Sequence, residues 1–197
     1  ATQLLAGVYM VTATDENGCS GTITVEVEAP AGFTANVSAL VQPACFGDNN
    51  GSATITVQGG SGDFSYQWSD PAGQSSAQAL NLAAGSYTVS VTDNESGCIS
   101  IVPVNIANPA QLGLNLLNTT SVLCAGQSNG TAQVIGAGGV GTYTYIWNDP
   151  AGQTSPLAAG LSAGNYQVTV SDANGCTATT SVEIAEPQPL AAQIGSF

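Results

Sequence analysis

Five cysteines are the residues of this chain whose type and spacing could do chemistry, by forming disulfide bonds. They occupy two recurring positions: Cys45 and Cys124 hold the first, and Cys19, Cys98 and Cys176 hold the second. Pairing within each repeat closes loops of about fifty residues, each worth roughly 4 kcal/mol when chain entropy is counted. We favour this arrangement, with the pairs Cys45–Cys98 and Cys124–Cys176, and it leaves the partner of Cys19 outside the chain.

Two other arrangements of the cysteines remain open. The bonds Cys19–Cys45 and Cys98–Cys124 would join neighbouring repeats covalently and would leave Cys176 for a further repeat. In the third arrangement all five cysteines are free thiols. Regular spacing of cysteines indicates an oxidising compartment, which favours disulfides over thiols.

Aspartate and asparagine residues form the second candidate for chemistry, because they cluster in short turns. The turns are Asp15–Gly18, Asp48–Asn50, Asp93–Glu95 and Asp172–Gly175. Calcium binds six to eight oxygens, often from carboxylates in such loops. However, Asp48 corresponds to Gln127 in the next repeat, and tight turns favour Asp and Asn for conformational reasons alone. We therefore expect turn-forming roles and no metal or other cofactor, with Asp93 and Asp172 as weak calcium candidates.

The charge balance excludes several classes of function. The chain has 13 acidic residues and no Lys, Arg or His, which gives a formal net charge of −13. Binding to nucleic acid or to anionic lipid surfaces requires cationic groups. Histidine bases, Schiff-base lysines and Ser–His pairs are all absent. No stretch approaches the roughly 18 apolar residues of a membrane span. We expect no catalytic residues, no enzyme activity, no nucleic-acid partner and no direct membrane insertion.

The sequence repeats itself with a period of about 79 residues. Cys45–Gly51 returns as Cys124–Gly130, Ser65–Gln74 as Thr144–Gln153, and Leu82–Asp93 as Leu161–Asp172. A proline marks each boundary between periods, at Pro30, Pro109 and Pro187. We predict the C-terminal part of a truncated repeat at 1–29, complete repeats at 30–108 and 109–187, and the start of another at 188–197. The short junctions predict domains arranged end to end.

Period-two alternation of apolar and polar residues predicts an all-β protein. Thr22–Glu28, Ser52–Val57 and Tyr87–Val91 alternate in this way, and Gly- and Asn-rich turns separate them. Six or seven short strands per repeat predict tandem immunoglobulin-like β-sandwiches. A seven-strand sandwich would place the two cysteines of one repeat at opposite ends. Pairing within a repeat therefore requires six strands or a displaced first strand.

Aromatic residues at fixed repeat positions predict how each sandwich packs. The motif Leu-x-Ala-Gly-x-Tyr is typical of the tyrosine corner that opens strand F, with Tyr87 and Tyr166 in that role and Tyr9 at the same place in the truncated repeat. Trp68 and Trp147 match the buried tryptophan of strand C. The alternative is an exposed aromatic strip that stacks on sugar rings.

The combined motifs resemble the SprB-type repeat. They are Cys-Phe-Gly-Asp-Asn-Asn-Gly-Ser-Ala-Thr-Ile-Thr-Val from Cys45, then Tyr-x-Trp, then Leu-x-Ala-Gly-x-Tyr-x-Val-x-Val-x-Asp, then Asn-Gly-Cys. Such repeats occur in very large cell-surface adhesins of gliding Bacteroidetes and in other proteins exported by type IX secretion. The resemblance implies an extracellular, filamentous adhesin attached to the outer membrane. The middle repeat departs from it at Asn94–Cys98, and the third has Ala125 and Gln127 where the second has Phe46 and Asp48.

Three functions fit these observations. The first is a structural stalk of a surface adhesin or filament, with neighbouring repeats of the same protein as partners. The second is a binding module for surface polysaccharide or another protein. The third is a self-assembling filament subunit, in which a neighbouring chain completes the strands of 1–29 by strand addition.

Overall fold

The computed structural model describes residues 4–191, and every regular element in that range is a β-strand. The strands in chain order are β1 (Gly7–Thr14), β2 (Ser20–Val27), β3 (Phe33–Val41), β4 (Gly51–Gly59), β5 (Phe64–Trp68), β6 (Gln78–Leu82), β7 (Gly85–Asp93), β8 (Ile99–Ile106), β9 (Gly113–Thr120), β10 (Gly130–Ala137), β11 (Thr144–Trp147), β12 (Leu157–Leu161), β13 (Gly164–Ser171) and β14 (Thr177–Ile184). Turns rich in Gly, Asn and Asp connect them. The all-β prediction is confirmed.

Each complete repeat forms two three-stranded sheets. In the repeat 30–108 the strand orders are β3-β4-β6 and β5-β7-β8, and in the repeat 109–187 they are β9-β10-β12 and β11-β13-β14. Lettered along the chain, these orders are A-B-E and C-F-G, the two sheets of an immunoglobulin-like sandwich without strand D. Six strands per repeat agree with the predicted six or seven. Pro103 lies in the outer strand β8, as expected for proline in a sheet.

By compactness, the described residues divide into two units. The first contains 4–39, 53–79 and 86–104, and the second contains 40–52, 80–85 and 105–191. The segment that carries Cys45 therefore belongs to the same unit as Cys124 and Cys176. The domain boundaries drawn from the sequence stay predictions, and residues 192–197 of the predicted last segment lie outside the described residues.

The first unit contains the hairpin β1–β2 and strands with strict alternation of burial. The hairpin is antiparallel, with Gly7 opposite Val27 and Thr14 opposite Ser20. In β7, Val89 and Val91 are fully buried because side chains two apart point to the same face. Strand β5 pairs with β7, and this pairing sets its terminal tryptophan opposite Val89.

The core of the second unit is made by inward-facing side chains of both sheets. Its buried members are Leu112, Val122, Ala132, Val134, Tyr145, Trp147, Ala158, Leu161, Val168, Val170, Val182 and Ile184. Strands β9 and β14 lie in different sheets and contact each other. Ala132 and Ala158 are opposite each other on the neighbouring strands β10 and β12, and Trp147 is the largest side chain of this core.

Candidate functional site

The cysteine chemistry of this chain is concentrated at one disulfide bond, between Cys45 and Cys176. Cys45 lies in the loop between β3 and β4, and Cys176 lies in the turn between β13 and β14. Their Cα atoms are 5.6 Å apart, and 131 residues separate them along the sequence. Both belong to the second compact unit.

The loop that carries Cys45, residues 43–51, is held by its own side chains. The amide of Ala44 donates to Oδ1 of Asn50 at 2.9 Å, and the amide of Cys45 donates to Oδ2 of Asp48 at 3.2 Å. The amide of Asp48 donates in turn to the carbonyl of Cys45 at 3.1 Å. Gly47 has a φ of 85°, a conformation that glycine adopts without steric cost. This loop, which we call the cysteine loop, is therefore held by local hydrogen bonds on both sides of Cys45.

The turn that carries Cys176, residues 172–176, is organised by the carboxylate of Asp172. Oδ1 accepts hydrogen bonds from the amides of Asn174 and Cys176, both at 2.9 Å. Oδ2 accepts from the amide of Val140 at 2.9 Å, so the carboxylate also ties this turn to the loop between β10 and β11. We call this segment the cysteine turn.

Hydrogen bonding controls the charge state of the turn aspartates. Burial would raise the pKa of Asp172, but amide donors led by those of Val140 and Cys176 outweigh it and lower that pKa. For the equivalent Asp93, the amides of Ser96 and Ser61 lower the pKa to about 2. Both carboxylates are buried and stay ionised at neutral pH.

The two weak calcium candidates therefore have a structural role in the turns. The oxygens of Asp93 accept hydrogen bonds from the amides of Ser61, Glu95 and Ser96. Within residues 4–191 no group of three or more His, Cys, Asp or Glu side chains is placed to hold a metal ion. Calcium binding at Asp93 or Asp172 stays a prediction that the structure does not support with further ligands.

The path of the chain explains why Cys45 and Cys176 meet. The amide of Gly47 in the cysteine loop donates to Oδ1 of Asn108, at 3.2 Å. Two residues further on, the carbonyl of Ala110 accepts from the amide of Gly139 at 2.9 Å. That glycine precedes Val140, whose amide donates to Asp172 of the cysteine turn. The chain thus leaves one repeat beside its cysteine loop and enters the next beside its cysteine turn.

Further hydrogen bonds support this junction. The side-chain amide of Asn174 donates to the carbonyl of Ala44 at 3.0 Å, directly beside the disulfide. The amide of Ala107 donates to Oε1 of Gln42 at 2.6 Å. The first bond links the cysteine turn to the cysteine loop, and the second joins the segment after β8 to Gln42, just before that loop.

The disulfide differs from both pairings predicted from the sequence. The favoured pairs Cys45–Cys98 and Cys124–Cys176 are wrong, because Cys45 is bonded to Cys176. The alternative pairs Cys19–Cys45 and Cys98–Cys124 are not formed either. Within the described residues, the three remaining cysteines are exposed free thiols: Cys19, Cys98 and Cys124.

The length of a strand separates the two cysteines of one repeat. The loop of Cys124 lies at the far end of β14, where the amide of Val122 donates to the carbonyl of Ala185 at 3.1 Å. Cys176 immediately precedes the first residue of that strand. Eight residues of strand span roughly 26 Å, far beyond the Cα separation of a disulfide. A sandwich of six strands does not bring them together, because β9 keeps its place beside β10.

The tryptophans lie in the core. Trp68 and Trp147 are 2% and 1% exposed. Their Nε1 groups donate to the carbonyls of Ser76 and Ser155, at 2.9 Å in both cases. Neither ring offers a face to solvent, so neither can stack on a sugar.

The tyrosines at the start of strand F make corner hydrogen bonds. The hydroxyl of Tyr166 donates to the carbonyl of Ser162 at 3.1 Å, and that of Tyr9 donates to the carbonyl of Leu5 at 2.7 Å. Both acceptors lie four residues upstream, as in a tyrosine corner. Tyr87 occupies the equivalent place in β7.

Two further aspartates organise turns from buried positions, and the sequence did not single them out. Asp70 and Asp149 are 7% and 8% exposed. Burial would raise the pKa of each, but hydrogen bonds from Gln74 and Gln153 and from nearby amides lower it. The recurrence of Asp-Pro-Ala-Gly-Gln without change is the signal that could have revealed this role.

Comparison with known families tests the resemblance. Residues 37–73 and 116–152 each match the model of the SprB repeat. Each complete repeat of this chain thus contains a segment that matches the SprB repeat, which agrees with the resemblance. The match includes the cysteine loop in each repeat. None of the curated proteins compared with the chain matches it. No helix in the described residues is long and apolar enough to cross a membrane.

Several solved structures are similar to this chain. Three N-terminal domains of the bacteriophage RB49 outer capsid protein Hoc are 18% identical with a TM-score of 0.47, over 79% of this chain and 58% of that one. A C-terminal fragment of intimin, in complex with the Tir intimin-binding domain, is 16% identical with a TM-score of 0.37, over 78% and 64%. DIP-gamma IG1+IG2 is 9% identical with a TM-score of 0.39, over 81% and 99%. This chain spans less than two thirds of the first two.

Proposed function

We propose that this chain belongs to the repeat region of a large extracellular adhesin, in which it provides reach and transmits tension. The observation that carries the proposal is the disulfide Cys45–Cys176, which joins cysteines of two successive repeats. Residues buried in each sandwich serve packing, and the buried aspartates serve turns. We infer a non-catalytic spacer whose repeats are covalently connected twice, through the backbone and through sulfur.

The disulfide changes how tension passes through the chain. A pull on residues before Cys45 and after Cys176 is transmitted through the disulfide rather than through the intervening backbone. The segment of chain between the two cysteines, which are 131 residues apart, therefore carries no tension. Fully extended, that length of chain would add roughly 450 Å. Shielding this length lets a surface filament resist shear without lengthening irreversibly.

Composition and chemistry support an extracellular location. Disulfides persist in oxidising environments outside the cytosol. The absence of Lys and Arg removes every cleavage site for trypsin-like proteases. We propose that the protein is exported by type IX secretion to the surface of a gliding member of the Bacteroidetes. Antibody labelling of intact cells tests this location, and labelling only after permeabilisation would contradict it.

Single-molecule stretching tests the mechanical role. The chain is held through handles fused at its two termini and extended with and without a reductant. We expect the extension gained on unfolding to rise by roughly 450 Å when the reductant is present. A variant with Cys98→Ser and Cys124→Ser should behave like the parent, because neither thiol is bonded. The full extension without reductant would overturn the proposal.

The burial of both tryptophans removes the main motivation for the alternative of polysaccharide binding. A glycan array probed with the full chain tests that alternative directly. Specific binding that is abolished by substituting an exposed residue would favour it over the stalk.

A further inference from the structure

We propose that Cys124 is a cross-linking site for a further SprB repeat and accepts the cysteine of an Asp-x-Asn-Gly-Cys turn. This inference concerns an exposed thiol that the existing disulfide leaves unused. It rests on two equivalences. The loop of Cys124 corresponds to the loop of Cys45, and the turn of the incoming cysteine corresponds to the turn of Cys176, which is bonded to Cys45 in this structure. It goes beyond the proposed mechanical role and does not depend on it.

The loop of Cys124 is built like the cysteine loop of Cys45. The amide of Leu123 donates to Oδ1 of Asn129 at 3.0 Å, as the amide of Ala44 donates to Oδ1 of Asn50 at 2.9 Å. An asparagine six residues downstream thus fixes the residue before the cysteine in both loops. The thiol of Cys124 therefore starts from the same local backbone arrangement as the bonded cysteine.

Two more hydrogen bonds of these loops correspond. In the first pair, the amide of Gln127 donates to the carbonyl of Cys124 as the amide of Asp48 donates to that of Cys45, both at 3.1 Å. In the second pair, the amide of Gly126 donates to Oε2 of Glu186 at 3.1 Å, as the amide of Gly47 donates to Oδ1 of Asn108 at 3.2 Å. The second correspondence matters most, because Asn108 and Glu186 close their repeats. The chain therefore leaves the repeat 109–187 beside Cys124, as it leaves the repeat 30–108 beside Cys45.

The form of the partner follows from the cysteine turn that is already bonded. The side-chain amide of Asn174 donates to the carbonyl of Ala44, and the equivalent acceptor in the unused loop is the carbonyl of Leu123. A turn with Asn two residues before Cys can make that hydrogen bond. The turn Asp15–Cys19 has this form, and its Asp15 amide donates to the Cys19 carbonyl at 3.0 Å, as in the bonded turn.

The turn that ends at Cys98 does not have the preferred form. It is one residue longer and has Ser96 in place of the asparagine two residues before cysteine. Asp93 still accepts hydrogen bonds from backbone amides of the turn, so the turn is formed. The side-chain amide that would donate to the cysteine loop is absent. The inference therefore distinguishes between cysteine turns and does not extend to every exposed thiol.

The bond forms by two thiol–disulfide exchanges with a small-molecule disulfide such as oxidised glutathione. The Cys124 thiolate attacks that disulfide, which forms a mixed disulfide and releases one small thiol. The thiolate of the incoming cysteine then attacks the Cys124 sulfur and releases the second small thiol. One oxidant molecule is reduced to two thiols for each protein disulfide formed.

The test uses the full chain extended by one more copy of residues 109–187 after Pro187. The protein is oxidised with glutathione disulfide, and its bonds are mapped after digestion with a protease that does not require Lys or Arg. We expect Cys124 to be bonded to the second cysteine of the added repeat, with Cys45–Cys176 retained. Maleimide labelling of Cys124 should fall to background in the extended chain and should be full in the parent.

Matched variants make the outcome decisive. Replacing the second cysteine of the added repeat by serine should restore the labelling of Cys124. Replacing the asparagine two residues before that cysteine by alanine should slow bond formation, whereas Cys98→Ser should leave it unchanged. Cys124 free, or bonded to any other cysteine, would overturn the inference. Loss of the Cys45–Cys176 bond would overturn it as well, because the pairing on which it is based would be absent.

Discussion

Removing the disulfide Cys45–Cys176 should cost more stability than any other pair of conservative substitutions at cysteines of this chain. The bond restricts the unfolded chain over a separation of 131 residues. With that length, the loop-entropy relation gives about 17 cal/mol/K, or about 5 kcal/mol at 25 °C. Residual compactness of the unfolded chain reduces this figure, so we expect a loss of about 3 to 5 kcal/mol for the variant Cys45→Ser with Cys176→Ser.

Urea unfolding followed by tryptophan fluorescence measures this loss, because Trp68 and Trp147 are buried in the folded chain. The control carries Cys98→Ser with Cys124→Ser, at two exposed free thiols, and should stay within about 0.5 kcal/mol of the parent. Reductant should destabilise the parent and the control but not the first variant. Equal unfolding free energies for the first variant and the parent would refute the reasoning, as would an effect of reductant on the first variant.

Three further predictions concern charge and backbone conformation. Because the pKa of Asp93 falls from 3.8 to about 2 on folding, its contribution to stability is full above about pH 4 and is lost as pH falls toward 2. The melting temperature of the variant Asp93→Asn should therefore fall less than that of the parent between pH 4 and pH 2. An equal fall in both proteins would contradict this. In urea titrations, Gly139→Ala should destabilise the chain by about 2 kcal/mol more than Gly175→Ala. Both glycines have a positive φ, but only a Cβ at Gly139 would lie 2.6 Å from Oδ2 of Asp172. Sodium chloride should raise the melting temperature by screening repulsion among 13 acidic residues, and a fall between low and moderate salt would show that this repulsion does not govern how stability responds to salt.

The sequence predicted the elements of this fold better than it predicted their covalent links. Alternation and turn residues predicted the strands, and recurrence of Tyr and Trp predicted the core, because both signals are local. The pairing of Cys45 depends on which end of a sandwich the chain leaves and which end of the next it enters. That information comes from contacts such as Gly47 with Asn108, 61 residues apart, and the spacing of residues along the sequence does not show that such distant positions meet.

Asp93 and Asp172 were recognised as turn residues from their neighbours, but the reason for their burial could not be read locally. Each uses one carboxylate oxygen within its own turn and the other on a loop 32 residues away, at Ser61 or Val140. The second contact explains why the residue is aspartate in both repeats. Asparagine would place a second donor against one of those amides.

The absence of cations gives these contacts their weight. The described residues bury four acidic side chains, Asp70, Asp93, Asp149 and Asp172, and no Lys, Arg or His exists to neutralise them. A buried carboxylate without a cation is tolerated only if N–H donors replace its hydration. All four accept such hydrogen bonds, at the ends of strands or in the turns that follow them. In this chain the four buried carboxylates therefore stabilise the turns. The disulfide supplies the strong link between repeats that ion pairs could provide in other proteins.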